Sequence, residues 1–309
     1  MEKIYVIAGP TASGKTAVAI ALAKLIDGEI ISADSMQIYK GMDIGTAKPS
    51  KAEQNGIMHY MIDIVTPDVP YSAALYQQQA RAAIEEIQAR RRIPILCGGT
   101  GFYINAVLRD INFAQDSYAD SLGEYFINIA GVEGPAHLYK LLQETDPASA
   151  EAIHPNNTKR VIRALSYNHE TGKLFSEYNA EQKKQPYIYD TVFCCLNIER
   201  PLLYQRINDR VLSMFDAGLE EEVSGLLAEG YNPNLVSMQG IGYKETIQYF
   251  LGNCTRSEAI NTIQQNTRHY AKRQMTWFRN QNPCAIHIQA SNKPPEEIAR
   301  EIVDLYMPA

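Results

Sequence analysis

Eight residues near the start of the chain, Gly9-Pro10-Thr11-Ala12-Ser13-Gly14-Lys15-Thr16, restrict its fold more than any other stretch. They follow a short apolar run, Ile4 to Ala8, and open an alanine-rich helical pattern, Ala17 to Ile26. Strand, glycine-rich turn and helix, with G-x-x-x-x-G-K-T at the turn, is the P-loop pattern in the context it requires. The two glycines let the chain curl so that consecutive backbone N–H groups face one anion. The new helix adds its positive end and Lys15 adds a full charge. Thr16 carries a hydroxyl placed for Mg²⁺. The motif predicts an α/β fold with a di- or triphosphate ligand, and leaves open which one.

The chain downstream supplies the rest of such a sheet. Glu29 to Ala33 reads as a second strand ending at Asp34-Ser35, and His59 to Ile64 as a third. Ile93 to Cys97 reads as a buried strand running into a second glycine-rich turn, Gly98-Gly99-Thr100-Gly101. In an open parallel sheet, ligands sit beyond the carboxyl ends of the strands, so Asp34 and the Thr100 hydroxyl belong to the same rim as the P-loop. A carboxylate there is a magnesium ligand, a general base or a helix cap, and position alone does not choose. The segment Met36 to Pro49 has no clean period and reads as a loop with structure of its own, of the kind that is usually functional. His59 reads as a structural histidine, and Arg90-Arg91-Arg92 as complementing the C-terminal dipole of a helix from Ser72.

Between about Phe113 and Pro186 strand signals vanish, and short helical segments are broken by Gly131, Gly134-Pro135, Pro147, Pro155 and Gly172. The predicted architecture is therefore a P-loop parallel sheet flanked by helices, residues 1–112 and 187–309, with a helical insertion domain, residues 113–186. Within the insertion, Lys159, Arg160 and Arg163 share one basic face, and Val161, Ile162 and Leu165 supply the buried side. That face is either solvated or anion-binding.

The core pattern returns with the strand Thr191 to Ile198 and a helix from Pro201 that carries Arg206 and Arg210 four residues apart. No carboxylate stands at matching spacing, so these arginines suit a phosphate. A loop from Gly230 ends in Gln239-Gly240-Ile241-Gly242-Tyr243. The last long helix, about Thr255 to Asn280, sets Arg256, Arg268, Lys272, Arg273 and Arg279 against one acidic residue, Glu258. Tyr270 and Trp277 interleave with them, as on single-stranded nucleic-acid surfaces, unless they belong to the core.

The net charge of −6 gives no global basic footprint, so any nucleic acid must be held by local patches. Five cysteines without a C-x-x-C pair point to reduced, buried thiols in a cytoplasmic protein, with neither a disulfide frame nor a zinc site. Apolar stretches too short for a membrane span and a P-loop beginning at residue 9 argue against a membrane anchor or signal peptide. A monomer is expected, since no coiled-coil stretch or apolar interface helix stands out.

From Ile4 to about Arg279 the chain resembles the bacterial tRNA dimethylallyltransferases, which prenylate N6 of the adenosine next to the anticodon. The resemblance rests on residues 9–16 and on the long segment Asp34-Ser35-Met36-Gln37-Ile38-Tyr39-Lys40-Gly41-Met42-Asp43-Ile44-Gly45-Thr46-Ala47-Lys48-Pro49. Gly98-Gly99-Thr100-Gly101, Ile153-His154-Pro155-Asn156, Gly240-Ile241-Gly242-Tyr243 and Ala271-Lys272-Arg273-Gln274 extend it. It implies that the P-loop holds the diphosphate of dimethylallyl diphosphate and that no nucleotide is hydrolysed. It further implies that Asp34 takes the N6 proton, that Lys15, Arg210 and loop N–H groups cradle the diphosphate, that Thr16 holds Mg²⁺, and that Thr100 donates to the bridging oxygen. The tRNA anticodon arm is expected to meet Asp34, Ser35, Met36, Gln37 and Thr100, residues Lys159, Arg160, Val161, Ile162 and Arg163, and the loop Gln239, Gly240, Ile241, Gly242 and Tyr243. Three departures stand out: Ser121-Leu122-Gly123 where the family usually has a tRNA-gripping arginine, Asn157 for a usual Asp, and Ser166 for a common Glu.

Overall fold

The computed structural model describes residues 3–111, 113 and 119–306. The chain divides into two compact units, Met1–Leu108 with Ile188–Ala309, and Arg109–Tyr187.

The first unit is built on six parallel strands. β1 (Lys3–Ala8) leads into α1 (Lys15–Ile26), and β2 (Gly28–Ser32) is followed by the single turn α2 (Lys51–Gln54) and β3 (His59–Tyr60). Next come α3 (Ala73–Ala89), β4 (Ile93–Gly98) and α4 (Gly101–Leu108). In space the strands run β3-β2-β4-β1 and continue through β5 (Asp190–Asn197) to β6 (Ile286–Gln289). Residues 4–8 of β1, 94–98 of β4 and 192–196 of β5 are buried on both faces, as a parallel sheet covered by helices requires. Every carboxyl end therefore opens on one rim.

The other helices of this unit are α10 (Arg200–Asp216), α11 (Leu219–Ala228), α12 (Tyr243–Phe250), α13 (Arg256–Gln281) and α14 (Pro295–Tyr306). Thr255 caps α13 with a capping box closed by Glu258. The second unit holds α5 (Ala119–Glu133), α6 (Pro135–Thr145), α7 (Pro147–Ala152), α8 (Thr158–Thr171) and α9 (Phe175–Lys184), around a core that includes Leu138, Leu142, Val161, Leu165 and Phe175.

Three expectations need correction. The third strand stops at Tyr60, because Met61 and Asp63 take left-handed backbone angles (φ 61° and 55°). From there the chain pairs with the loop after β2: Asp63 N–H donates to Gln37 C=O at 3.1 Å and Ile64 N–H to Ile38 C=O at 2.8 Å. Arg90 and Arg92 do more than offset a helix dipole, since they pair with the buried Glu29 at 2.5 and 3.0 Å and tie α3 to β2. Of the cysteines, Cys97, Cys194 and Cys195 are buried, but Cys284 is exposed and Cys254 half-buried. His59 is structural as expected, its Nδ1 2.9 Å from Ile57 C=O. Among the described residues no helix is long and apolar enough to cross a membrane.

Candidate active site

The P-loop curls between β1 and α1 through positive φ angles at Gly9, Ala12 and Gly14 (147°, 61° and 84°). No side chain caps α1 and no acid lies in its first turn, so the helix's free N–H groups are left for an anion. Lys15 folds back over the loop, its ammonium donating to Pro10 C=O at 2.7 Å. Burial pushes its pKa down to about 8, and the nearby Arg210 pushes the same way. Burial also lowers the Arg210 pKa. Two half-buried cations beside free helix N–H groups make a site that suits an anion. The Thr16 hydroxyl has no hydrogen-bond partner among the described residues.

Asp34 sits just past β2 on the same rim. Its Oδ1 accepts from Met36 N–H at 2.9 Å and Gln37 N–H at 3.4 Å, closing a turn that fixes the carboxylate. Burial raises its pKa, while the Met36 N–H and the Lys15 charge work in the opposite direction. Of the three roles open to it, the helix cap falls away, since the N–H groups it holds belong to a turn with no helix behind it. Thr100 is joined to this turn: its Oγ1 accepts from Ser35 N–H at 3.1 Å, and its own N–H donates to Ala33 C=O at 3.0 Å. Tyr270 from α13 reaches both Thr100 and Gln274, and burial with the Asp34 charge pushes its pKa up to about 12. Tyr76 and Tyr103, both buried, stack at 4.0 Å between ring centroids behind the site and feel the Asp34 charge.

The structure thus brings residues 9–16, Asp34, Ser35, Thr100 and Arg210 to one rim of the first unit. Other residues singled out from sequence have inward duties. The Gln37 amide accepts from Ser32 Oγ at 2.9 Å and donates to Ala47 C=O at 3.3 Å, fastening the loop onto itself. Tyr243 is fully buried and donates to Glu222 at 2.6 Å, and Gln239 donates to Pro233 C=O at 2.8 Å. On α13, Arg256 pairs with Glu220 at 2.9 Å and Arg268 donates to Asn208 at 2.6 Å, which leaves Lys272, Arg273 and Arg279 exposed. Trp277 is half-buried, edge-on to the exposed Phe102 and close against Gly101.

In the second unit Lys159, Arg160 and Arg163 are exposed on α8, whereas Val161 is buried and Ile162 partly so. Asn157 caps this helix through Arg160 N–H at 3.3 Å, doing with an amide what Asp does with a carboxylate. Ser166 is buried, and the Ser121 and Leu122 side chains lie outside the described residues. Sequence reading missed Gln274 as a bridge between the two glycine-rich turns, as well as Tyr76, Tyr103 and Glu222. Gln274 falls within a quoted motif, but no local signal marks the other three.

Known proteins are similar to this chain over most of its length. The family model described as IPP transferase matches residues 37–281. A tRNA dimethylallyltransferase of Geobacillus thermodenitrificans is 49% identical over 305 residues, covering 99% of this chain and 95% of that protein. Among solved structures, a tRNA delta(2)-isopentenylpyrophosphate transferase from Staphylococcus epidermidis superposes with a TM-score of 0.72 at 40% identity, covering 99% of both chains. A eukaryotic dimethylallyltransferase captured acting on tRNA gives a TM-score of 0.82 at 32% identity, over 94% of this chain and 75% of that one.

Proposed function

The chain belongs to the IPP transferase family, and from that premise we propose that it transfers a dimethylallyl group from dimethylallyl diphosphate to a tRNA adenosine. The acceptor is N6 of the adenosine beside the anticodon, position 37, and diphosphate is released. One observation carries the reading: the Asp34 carboxylate lies on the same rim as the P-loop, near enough to feel the Lys15 charge, and the Ser35 N–H to Thr100 bond ties its turn to the second glycine-rich turn. Base and anion cradle thus face one space.

The chemistry needs both. Adenine N6 is a poor nucleophile because its lone pair is delocalised into the ring, and diphosphate leaves readily only when its charge is met. N6 attacks the first carbon of the prenyl group, the carbon–oxygen bond breaks, and the electron pair leaves with the diphosphate. Asp34 takes the N6 proton. Its Oδ1 is committed to the Met36 and Gln37 N–H groups, so Oδ2 is the accepting oxygen. Lys15, Arg210 and the free N–H groups of residues 9–16 meet the charge on the leaving group. The Thr100 hydroxyl accepts from Ser35 N–H and gives its own proton to the bridging oxygen by turning it away from Ser35 Oγ, a long 3.5 Å contact.

Thr16, with its hydroxyl unpartnered at the start of α1, suits Mg²⁺ held mostly by diphosphate oxygens and water. That ion would supply further charge neutralisation. On the tRNA side, Ser35, Met36 and the turn at Gln239 to Gly242 lie at the Asp34 end. The exposed Lys159, Arg160 and Arg163 of the second unit serve the phosphate backbone. Tyr243 acts through the loop it anchors. The protein is expected to work as a cytoplasmic monomer.

The test incubates the protein with Mg²⁺, labelled dimethylallyl diphosphate, and either unmodified tRNA or AMP. Label is expected in tRNA alone, at the adenosine 3′ of the anticodon. Label in AMP alone would make it an adenylate prenyltransferase. ATP hydrolysis without label in either would return the P-loop to ordinary nucleotide use.

A further inference from the structure

Four donors converge on one carboxylate beside the loops that flank Asp34. Glu222, half-buried on α11, accepts at Oε2 from the N–H groups of Asp43 (2.9 Å) and Ile44 (2.7 Å). At Oε1 it accepts from Gly45 N–H (3.1 Å) and from the Tyr243 phenol (2.6 Å). Three consecutive N–H groups pointing at one anion form a nest of the kind that usually holds a phosphate, here filled from within. The two loops interlock around it. A Cβ on Gly45 would come within 2.5 Å of the Tyr243 ring, and one on Gly240 within 2.6 Å of Met36 Cε.

We propose that Glu222 is a positioning residue for recognition of the nucleic acid: through the nest and Tyr243 it holds the Met36–Lys48 loop and the Gln239–Tyr243 turn together as one reading surface. The proposal rests on the prenyl-transfer reading above. It follows from where the donors come from. The first loop begins two residues after Asp34, and the second packs on Met36, so the distance between them is set by this carboxylate. The P-loop lies on neither segment, so Lys15 and the loop N–H groups grip the prenyl donor without it. An amide cannot replace the carboxylate: it offers one oxygen to four donors and turns its own N–H₂ towards two of them.

The experiment measures KM for unmodified tRNA and for dimethylallyl diphosphate, with melting temperature, in the full-length protein, Glu222→Gln and Glu29→Gln. Glu29 is the control, a buried carboxylate paired with Arg90 and Arg92 near the start of β2 and therefore costly to lose. Glu222→Gln is expected to raise KM for tRNA by about tenfold or more, while KM for dimethylallyl diphosphate stays within about twofold. Glu29→Gln is expected to lower the melting temperature and shift neither KM. The proposal is overturned if Glu222→Gln behaves like the control, or if both KM values rise together. Should Glu222→Gln fail to fold, Tyr243→Phe decides, removing one donor of the four. A rise of about threefold in KM for tRNA supports the proposal and an unchanged value overturns it. Wild-type protein that puts no label into tRNA would overturn the functional reading, and with it this proposal, before any variant is made.

Discussion

Gln274 accepts a hydrogen bond from the backbone N–H of Thr11 at 2.8 Å, across 263 positions of sequence. Its other end donates to Gly99 C=O at 3.0 Å, so one buried amide on α13 sets the gap between the P-loop and the Thr100 turn. Gln274→Leu keeps the volume and removes both bonds. The buried Gly99 C=O is then left unpaired, costing about 1–3 kcal/mol, and the half-buried Thr11 N–H loses its partner as well. We expect a lower urea midpoint and at least about a tenfold loss of kcat/KM for dimethylallyl diphosphate. Unchanged kinetics in the folded variant would show that the gap between the turns does not matter to the reaction.

The activity should follow a bell in pH. Burial raises the Asp34 pKa, so the base gains function as pH rises through a value above the usual carboxylate range. Lys15 has a pKa pushed down to about 8, so in the free enzyme its charge is lost above that pH and grip on the donor weakens. The measurement is kcat/KM for dimethylallyl diphosphate against pH. Lys15→Arg, whose guanidinium does not titrate there, should flatten the alkaline limb. A limb near pH 8 that survives this change belongs to another group.

Asp34→Asn tests the base itself. The amide oxygen still accepts from Met36 N–H, so the turn and the fold should persist with an unchanged melting temperature. Turnover should fall by about a hundredfold or more, the usual contribution of a positioned base. Near-normal kcat in single-turnover assays would remove Asp34 from the chemistry.

Two glycine substitutions should act in opposite directions. A Cβ on Gly98 would lie 2.1 Å from Ala33 C=O, a backbone atom of the neighbouring strand's end. Gly98→Ala is expected to cost about 3 kcal/mol or to abolish soluble expression. Gly225, inside α11, has open space around its Cβ position, and Gly225→Ala should stabilise by roughly 0.5–1 kcal/mol. Chemical denaturation of both checks the pair.

The readable parts of this protein were those with local causes. Apolar runs marked β1, β4 and β5 because strands buried on both faces cannot carry alternating polarity. The P-loop announced itself through its glycines, and the insertion through its prolines and glycines. Legibility ended where long-range contacts decide. The run His59 to Ile64 looks like one strand, yet its second half leaves the sheet for the loop at Gln37 and Ile38. Glu220-Glu221-Glu222 looks like a solvated first turn, yet Glu222 acts on residues 177 to 179 positions away. Tyr243 carries a motif position but faces inward, since a motif records which residues recur and not which way they point. Arg256, counted from sequence as part of a basic face, is neutralised by Glu220 from another helix.

The chain leaves the first unit at Leu108 and re-enters at Ile188, and these two residues are hydrogen-bonded, Ile188 N–H to Leu108 C=O at 2.8 Å. Just outward, Arg109 and Tyr187 bridge in antiparallel fashion. All six strands belong to the first unit and none to the segment that this residue pair brackets. The pair is therefore a natural cut point for engineering. A tight turn in place of residues 109–187 would excise the helical unit without opening the sheet, and a relative's unit could be grafted at the same two residues to build chimaeras.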